Sequence, residues 1–262
     1  MQSPSWAPPS FDVLGVPVSA TSIPDATDRI LDWKNDQTGR FVCIREVPSL
    51  MCAVDDPALA ALHYEASMVT PDGMPLVVMG KKAGMEVSRT SGADLFVNVV
   101  DKGRAVGLKH YLYGGAEGVA DALADELRRR FPGAEIVGTE CPPFRALTAE
   151  EAEATREAIR RSGADMVWVG ISSPKQEFWM HANYKQLPAT LVGVGAAFDF
   201  LTGRVKRAPL WMQKSGLESV HRLMSEPRRL WRRYLILAPR FVWLAFICGN
   251  RRPAHLKAAA TD

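Results

Sequence analysis

Cysteine is scarce and scattered: Cys43, Cys52, Cys141 and Cys248 are the four in 262 residues, with no CxxC and no Cys/His pairing. That spacing excludes a disulfide-stapled mini-fold and a zinc site, and it points to reduced thiols and a cytosolic protein. The five histidines (His63, His110, His181, His221, His255) lie far apart, with no metal-ligand spacing. No DxD pair, GxSxG or Walker sequence occurs, so the common signatures of divalent-cation binding, serine hydrolysis and P-loop phosphate binding are missing. Long apolar runs are missing too. The longest stretch, Tyr234 to Gly249, is interrupted by Pro239 and Arg240 and falls short of the roughly 20 residues that span a bilayer. The opening MQSPSWAPPS has no basic region followed by an apolar run, and reads as a flexible leader over residues 1–10. What remains is ample: 47% of residues are hydrophobic and 23% charged, enough to bury a large core.

The net charge of +3 conceals a division. Residues 204–257 carry 13 Lys/Arg against two acids, Glu218 and Glu226, whereas the first 203 residues hold 19 bases and 26 acids. A basic tail on an acidic body faces something anionic: a phosphate-bearing ligand or a membrane surface. The acidic body argues against a long polyanion, hence against nucleic acid.

Between Phe41 and Val194 short apolar runs alternate with amphipathic ones. Strands are expected at Phe41–Ile44, Lys109–Tyr113, Glu135–Val137, Met166–Val169 and Thr190–Val194, with helices at Glu117–Arg130 and Thr148–Arg161. Thr148 and Glu151 form a capping-box pattern at the start of the second helix. This alternation predicts an α/β fold, a Rossmann-like, mainly parallel sheet with helices on both faces, plus a basic helical C-terminal appendage. The expected division is 11–203 for the α/β domain and 204–262 for the appendage, whose aromatic and arginine content suits a membrane interface. Ligands of such sheets bind beyond the carboxyl ends of the strands.

Three of those ends carry glycine. In LYGGAEG, Gly114 and Gly115 precede a helix expected near Ala116, a natural phosphate cradle. In VGISSPKQEFW, Ser173 is expected to cap a helix with Pro174 in its first turn, setting Lys175 and Gln176 at the sheet's mouth. VGVGAAFDFLTG, with Asp199, resembles a dinucleotide fingerprint, but Phe198 stands where its third glycine belongs, so an NAD-dependent oxidoreductase is disfavoured. The sharpest feature is TPDGMP, whose Pro71 and Gly73 fix Asp72 in a turn. Arg89, in the loop SRTSGADL, is suited to pairing with an acid or a phosphate.

Taken in order, PDGMP, GADL, YGG, FPGAEIVGT, SPKQE, GVGAAFDFLTGRVKRAPLWMQKSGLES and RLMSEPRRLWRRY resemble the WecG/TagA/CpsF glycosyltransferases over about Phe11 to Phe241. The resemblance implies transfer, with inversion, of a hexose or N-acetylhexosamine-type sugar from a UDP-sugar to a polyprenyl-diphosphate-linked saccharide. The setting would be surface polysaccharide assembly at the inner face of the cytoplasmic membrane, with no metal or other cofactor. Carried over by position, Asp72 is the base, Gln176 and Asp199 belong to the donor pocket, and Arg89 with tail arginines such as Arg229 and Arg232 meets diphosphate. Two departures stand out. Aligned on Asp56 and Pro57, the family's threonine and asparagine on the second strand fall at Ile44 and Glu46, and the usual glycine before SPKQE is Ser172. The first departure keeps an alternative open, a non-catalytic membrane-associated nucleotide-sugar-binding protein on the same scaffold. Self-association into a homo-oligomer is also left open.

Overall fold

The structure is a computed structural model that describes residues 8–209, 211–212, 218–251 and 253. A hairpin of β1 (Ser10–Val13) and β2 (Val16–Ser19) opens the chain, joined by Leu14 and Gly15, both at positive φ as a tight two-residue turn requires. Six parallel strands follow: β3 (Arg40–Arg45), β4 (Met68–Pro71), β5 (Lys109–Gly114), β6 (Glu135–Glu140), β7 (Met166–Gly170) and β8 (Thr190–Gly193). Their order is β4-β3-β8-β7-β5-β6. The expected α/β class and parallel sheet are what the chain adopts. The sequence reading missed β4, which is four residues long and buried throughout, so it offers neither length nor alternation.

Helices cover both faces, and alternation along each strand divides the core between them. Val42, Leu112, Trp168 and Val192 face α1 (Ile23–Asp32), α5 (Gly92–Gly103) and α6 (Val119–Arg130), and Phe96 of α5 stacks on Trp168 at 4.1 Å. Phe41, Tyr111, Tyr113, Val167, Val169 and Leu191 face α7 (Ala149–Ser162) and α8 (Lys175–Asn183), and Trp179 of α8 stacks on Tyr113 at 4.4 Å. The Thr148–Glu151 capping box is formed, with Glu151 N donating to Thr148 Oγ1 and Thr148 N to Glu151 Oε2.

A third apolar cluster joins the hairpin to α2 (Val47–Asp55), α3 (Pro57–Glu65), α4 (Met74–Lys82) and the end of the chain. After α9 (Ala197–Leu201) come α10 (Glu218–Ser225), α11 (Pro227–Arg232), a π-helical turn (Arg233–Leu237), α12 (Ala238–Val242) and a second π turn (Trp243–Ile247). Phe241 is fully buried in this third cluster, Arg240 pairs with Asp55 at 2.6 Å, and the Asn250 amide bonds Leu14 N and Asp12 O. The C-terminal helices are thus packed on the body along one side. On the other side Trp231, Leu235, Ile236, Trp243 and Ile247 are exposed. No helix among the described residues is long and apolar enough to cross a membrane.

Candidate active site

A cleft of about 480 Å³ opens at the carboxyl ends of β3, β4, β7 and β8, roofed by residues of α10, α11 and the turn that follows. The order of the strands explains its place. The chain steps outward from β3 to β4 and then crosses to β5 in the other half of the sheet, and loops diverging at such a switch leave a crevice.

Beneath the cleft lies a buried charge network that the sequence reading did not single out. Arg45, at the end of β3, is fully buried; its Nε donates to His63 Nε2 at 2.7 Å, and its Nη1 meets Glu177 Oε1 at 3.0 Å and Ser173 Oγ at 3.2 Å. His63 Nδ1 lies 2.7 Å from the Leu59 carbonyl, and burial, with the charge of Arg45, pushes the imidazole down to about 3, so it is neutral and accepts at Nε2. Glu177 Oε1 also accepts from Gln176 Nε2 at 2.9 Å, and Gln176 Oε1 accepts from Gly195 N at 3.1 Å. Gln176 reaches Gly195 across the end of β8 because Gly193 has no side chain; a Cβ there would lie 2.8 Å from Gln176 Nε2. Gln176 therefore ties the loop after β7 to the loop after β8 along the cleft wall. Arg45 Nη2 and Glu177 Oε2 have no hydrogen-bond partner among the described residues.

Asp72 stands above this network. Its backbone N–H and that of Gly73 both donate to the Arg45 carbonyl, at 2.8 and 3.3 Å, which locks the PDG turn to the end of β3. Arg89 Nη2 and Nε grip one carboxylate oxygen of Asp72 at 2.8 and 3.0 Å, and Nε also reaches its carbonyl at 2.7 Å. About a quarter of the Asp72 side chain (27%) faces the cleft. Desolvation by the cleft walls pushes its carboxyl up to about 6; Arg89 opposes the shift, and the negative charges of Glu46 and Glu218 add to it. A carboxylate tuned there is ionised at neutral pH and is a stronger base than an ordinary aspartate.

The roof brings charges from the far end of the chain. Glu218 of α10 bridges Arg89 at 2.7 Å and Arg207 at 3.4 Å, and Arg207 in turn pairs with Asp94 at 2.5 Å. Arg222 and Arg233 converge on Glu46, at 3.9 and 2.5 Å, and the Arg222 guanidinium lies 5.4 Å from the Phe200 ring centre.

Of the residues singled out from the sequence, Asp72, Arg89, Ser173 and Gln176 line the cleft. Ser173 does not cap α8: the cap position is Pro174, and the Ser173 hydroxyl is taken by Arg45. Gly114, Gly115, Lys175, Asp199 and Arg232 lie outside the lining. Gly114 is the last residue of β5 and Gly115 follows it, on a strand whose end is not part of the lining, and α6 begins only at Val119, later than the expected Ala116. A Cβ at Gly114 would come within 2.6 Å of the Gly170 backbone, so close strand packing accounts for that glycine. Lys175 is exposed, and Asp199 lies 3.9 Å from Arg204. Arg232 is exposed and its guanidinium lies 5.7 Å from the Trp231 ring centre; Arg233, one residue or about 100° further around the helix, is the one that enters. The side chain of Arg229 lies outside the described residues. No group of three or more His, Cys, Asp or Glu among the described residues is arranged to hold a metal ion.

The model of the glycosyl transferase WecG/TagA/CpsF family matches residues 11–255. The chain belongs to this family. It is a glycosyltransferase, and the cleft onto which its PDGMP and SPKQE segments open is its candidate active site. Among its relatives is an N-acetylglucosaminyldiphosphoundecaprenol N-acetyl-beta-D-mannosaminyltransferase of Bacillus spizizenii, 34% identical over 192 residues, which cover 72% of each chain.

Proposed function

We propose that this glycosyltransferase moves a hexose or N-acetylhexosamine-type sugar from a UDP-sugar to a polyprenyl-diphosphate-linked saccharide, with inversion, in surface polysaccharide assembly. The observation that carries the reading is one carboxylate, Asp72, held by Arg89 at the edge of a cleft that Arg207, Arg222 and Arg233 also line. Asp72 takes the proton of the acceptor hydroxyl as that oxygen attacks the anomeric carbon. The bond to the nucleotide breaks on the opposite face, and UDP leaves with the bonding electrons. Guanidinium groups supply charge where the diphosphate develops it, and need no metal to do so. The relative's name describes transfer to a sugar carried on diphosphoundecaprenol, which supports the acceptor class.

The acceptor's lipid places the reaction at a membrane surface, which we assign to the inner face of the cytoplasmic membrane. The exposed Trp231, Leu235, Ile236, Trp243 and Ile247, with Arg228 and Arg232 beside them, form a face suited to headgroups and the acyl boundary. The test is incubation with a panel of UDP-sugars and polyprenyl-diphosphate sugars. Transfer from at least one donor is expected, and a folded protein that transfers from none would overturn the reading.

A further inference from the structure

Glu46 stands where relatives of this chain are expected to carry asparagine, and its surroundings give that carboxylate a task. It follows the last residue of β3 and is the N-cap of α2, where Ser49 Oγ accepts from Glu46 N and donates to Glu46 O. The carboxylate also lines the cleft. Among the described residues it is the only carboxylate within ion-pair distance of Arg222 and Arg233. Its backbone also abuts the turn of the base, since a Cβ on Gly73 would lie 3.6 Å from Glu46 Cα. The charged and titratable groups around it are Arg222 and Arg233 with Tyr234 beside them on the roof, Asp72 on the neighbouring turn, and Glu218, which acts on both Arg222 and Asp72.

Resting on the function proposed above, we propose that Glu46 is a positioning residue that holds Arg222 and Arg233 over the cleft and yields them to the diphosphate of the donor. The exchange has two consequences. The incoming anion must displace a carboxylate from two guanidiniums, so Glu46 weakens donor binding. Once displaced, its negative charge is no longer neutralised beside Asp72, which strengthens Asp72 as a base at the moment the donor is in place. Glu46 thus trades donor affinity for rate.

The test is calorimetric titration of UDP, alongside steady-state transfer, on the full-length wild type and Glu46→Gln, an isosteric change that keeps an acceptor for Arg233 and removes the charge. Glu46→Gln is expected to bind UDP about fivefold more tightly, the upper range for a partly exposed ion pair. Donor KM and kcat should fall together, a split that a loosened fold does not produce. In an Arg233→Gln background the gain from Glu46→Gln should shrink. Glu46→Asn, equally neutral, provides a second reading if the first variant folds poorly. Unchanged or weaker UDP binding in folded neutral variants, while the wild type binds UDP and transfers sugar, overturns this inference alone. A wild type that neither binds UDP nor transfers sugar overturns the function on which it rests.

Discussion

Two arginine–carboxylate systems lie one above the other, built from the same residue types and doing different work. The lower, Arg45 with Glu177, is fully buried and completed by His63, Ser173 and Gln176. The upper, in which Arg89, Arg207, Arg222 and Arg233 meet Asp72, Glu218, Asp94 and Glu46, faces a cleft and keeps from 14% to 44% of each side chain exposed. Burial decides the difference. Charges without access to water can exchange partners only at great cost, so the lower pair is scaffold. Charges lining an open cleft can pass from a carboxylate to an incoming phosphate, which is the task the proposed function gives the upper set.

The largest effect separating the two is expected from Glu177→Gln, which leaves Arg45 buried without a counter-charge. A loss of about 3–5 kcal/mol, or roughly 10 °C in Tm, should be measurable by calorimetry; a fall under about 1 kcal/mol would mean that the lower pair is no more structural than a surface bridge. Arg89→Met should leave the fold nearly intact while removing the cation that opposes the rise of the Asp72 pKa from its ordinary value to about 6. The acid limb of kcat/KM is then expected to move from near pH 6 to higher pH, and an unmoved limb would detach Arg89 from the base. Ser172 occupies the left-handed region at φ 72°, where its relatives are expected to carry glycine. Ser172→Gly should therefore stabilise the folded state by about 1 kcal/mol, read from denaturant midpoints. Smallest in stability is Trp243→Glu, on an exposed side chain: Tm should hardly change while binding to anionic vesicles falls, and undiminished binding would take Trp243 out of the proposed membrane-facing surface.

How much of this was legible in the sequence follows the same division. Asp72 could be found because proline and glycine mark its turn, and the parallel sheet because apolar runs alternate with amphipathic ones. Arg45 was hidden inside an apolar strand, FVCIREV, where nothing local distinguishes a buried guanidinium from a strand end. Glu46, Glu218, Arg222 and Arg233 depend on contacts between residues more than 120 positions apart. Composition announced a basic tail, but not which face of its helices would turn inward, and so Arg232 was chosen where Arg233 enters the cleft. Gly114 was read as part of a ligand cradle because close strand packing leaves the same local signature.

The central claim is that Asp72 removes the acceptor proton, and Asp72→Asn tests it most directly. The side chain keeps its shape but cannot take up a proton at neutral pH, so sugar transfer from the donor that the wild type uses should fall by about 10²–10⁴-fold. Stability must be read beside it. A carboxyl raised to about 6 stabilises the fold fully only below its ordinary value near 3.8, and that contribution is lost as the pH rises through 6. The asparagine variant should therefore be as stable as the wild type, or more so, at pH 8. A folded Asp72→Asn protein that transfers sugar at the full rate would contradict the account.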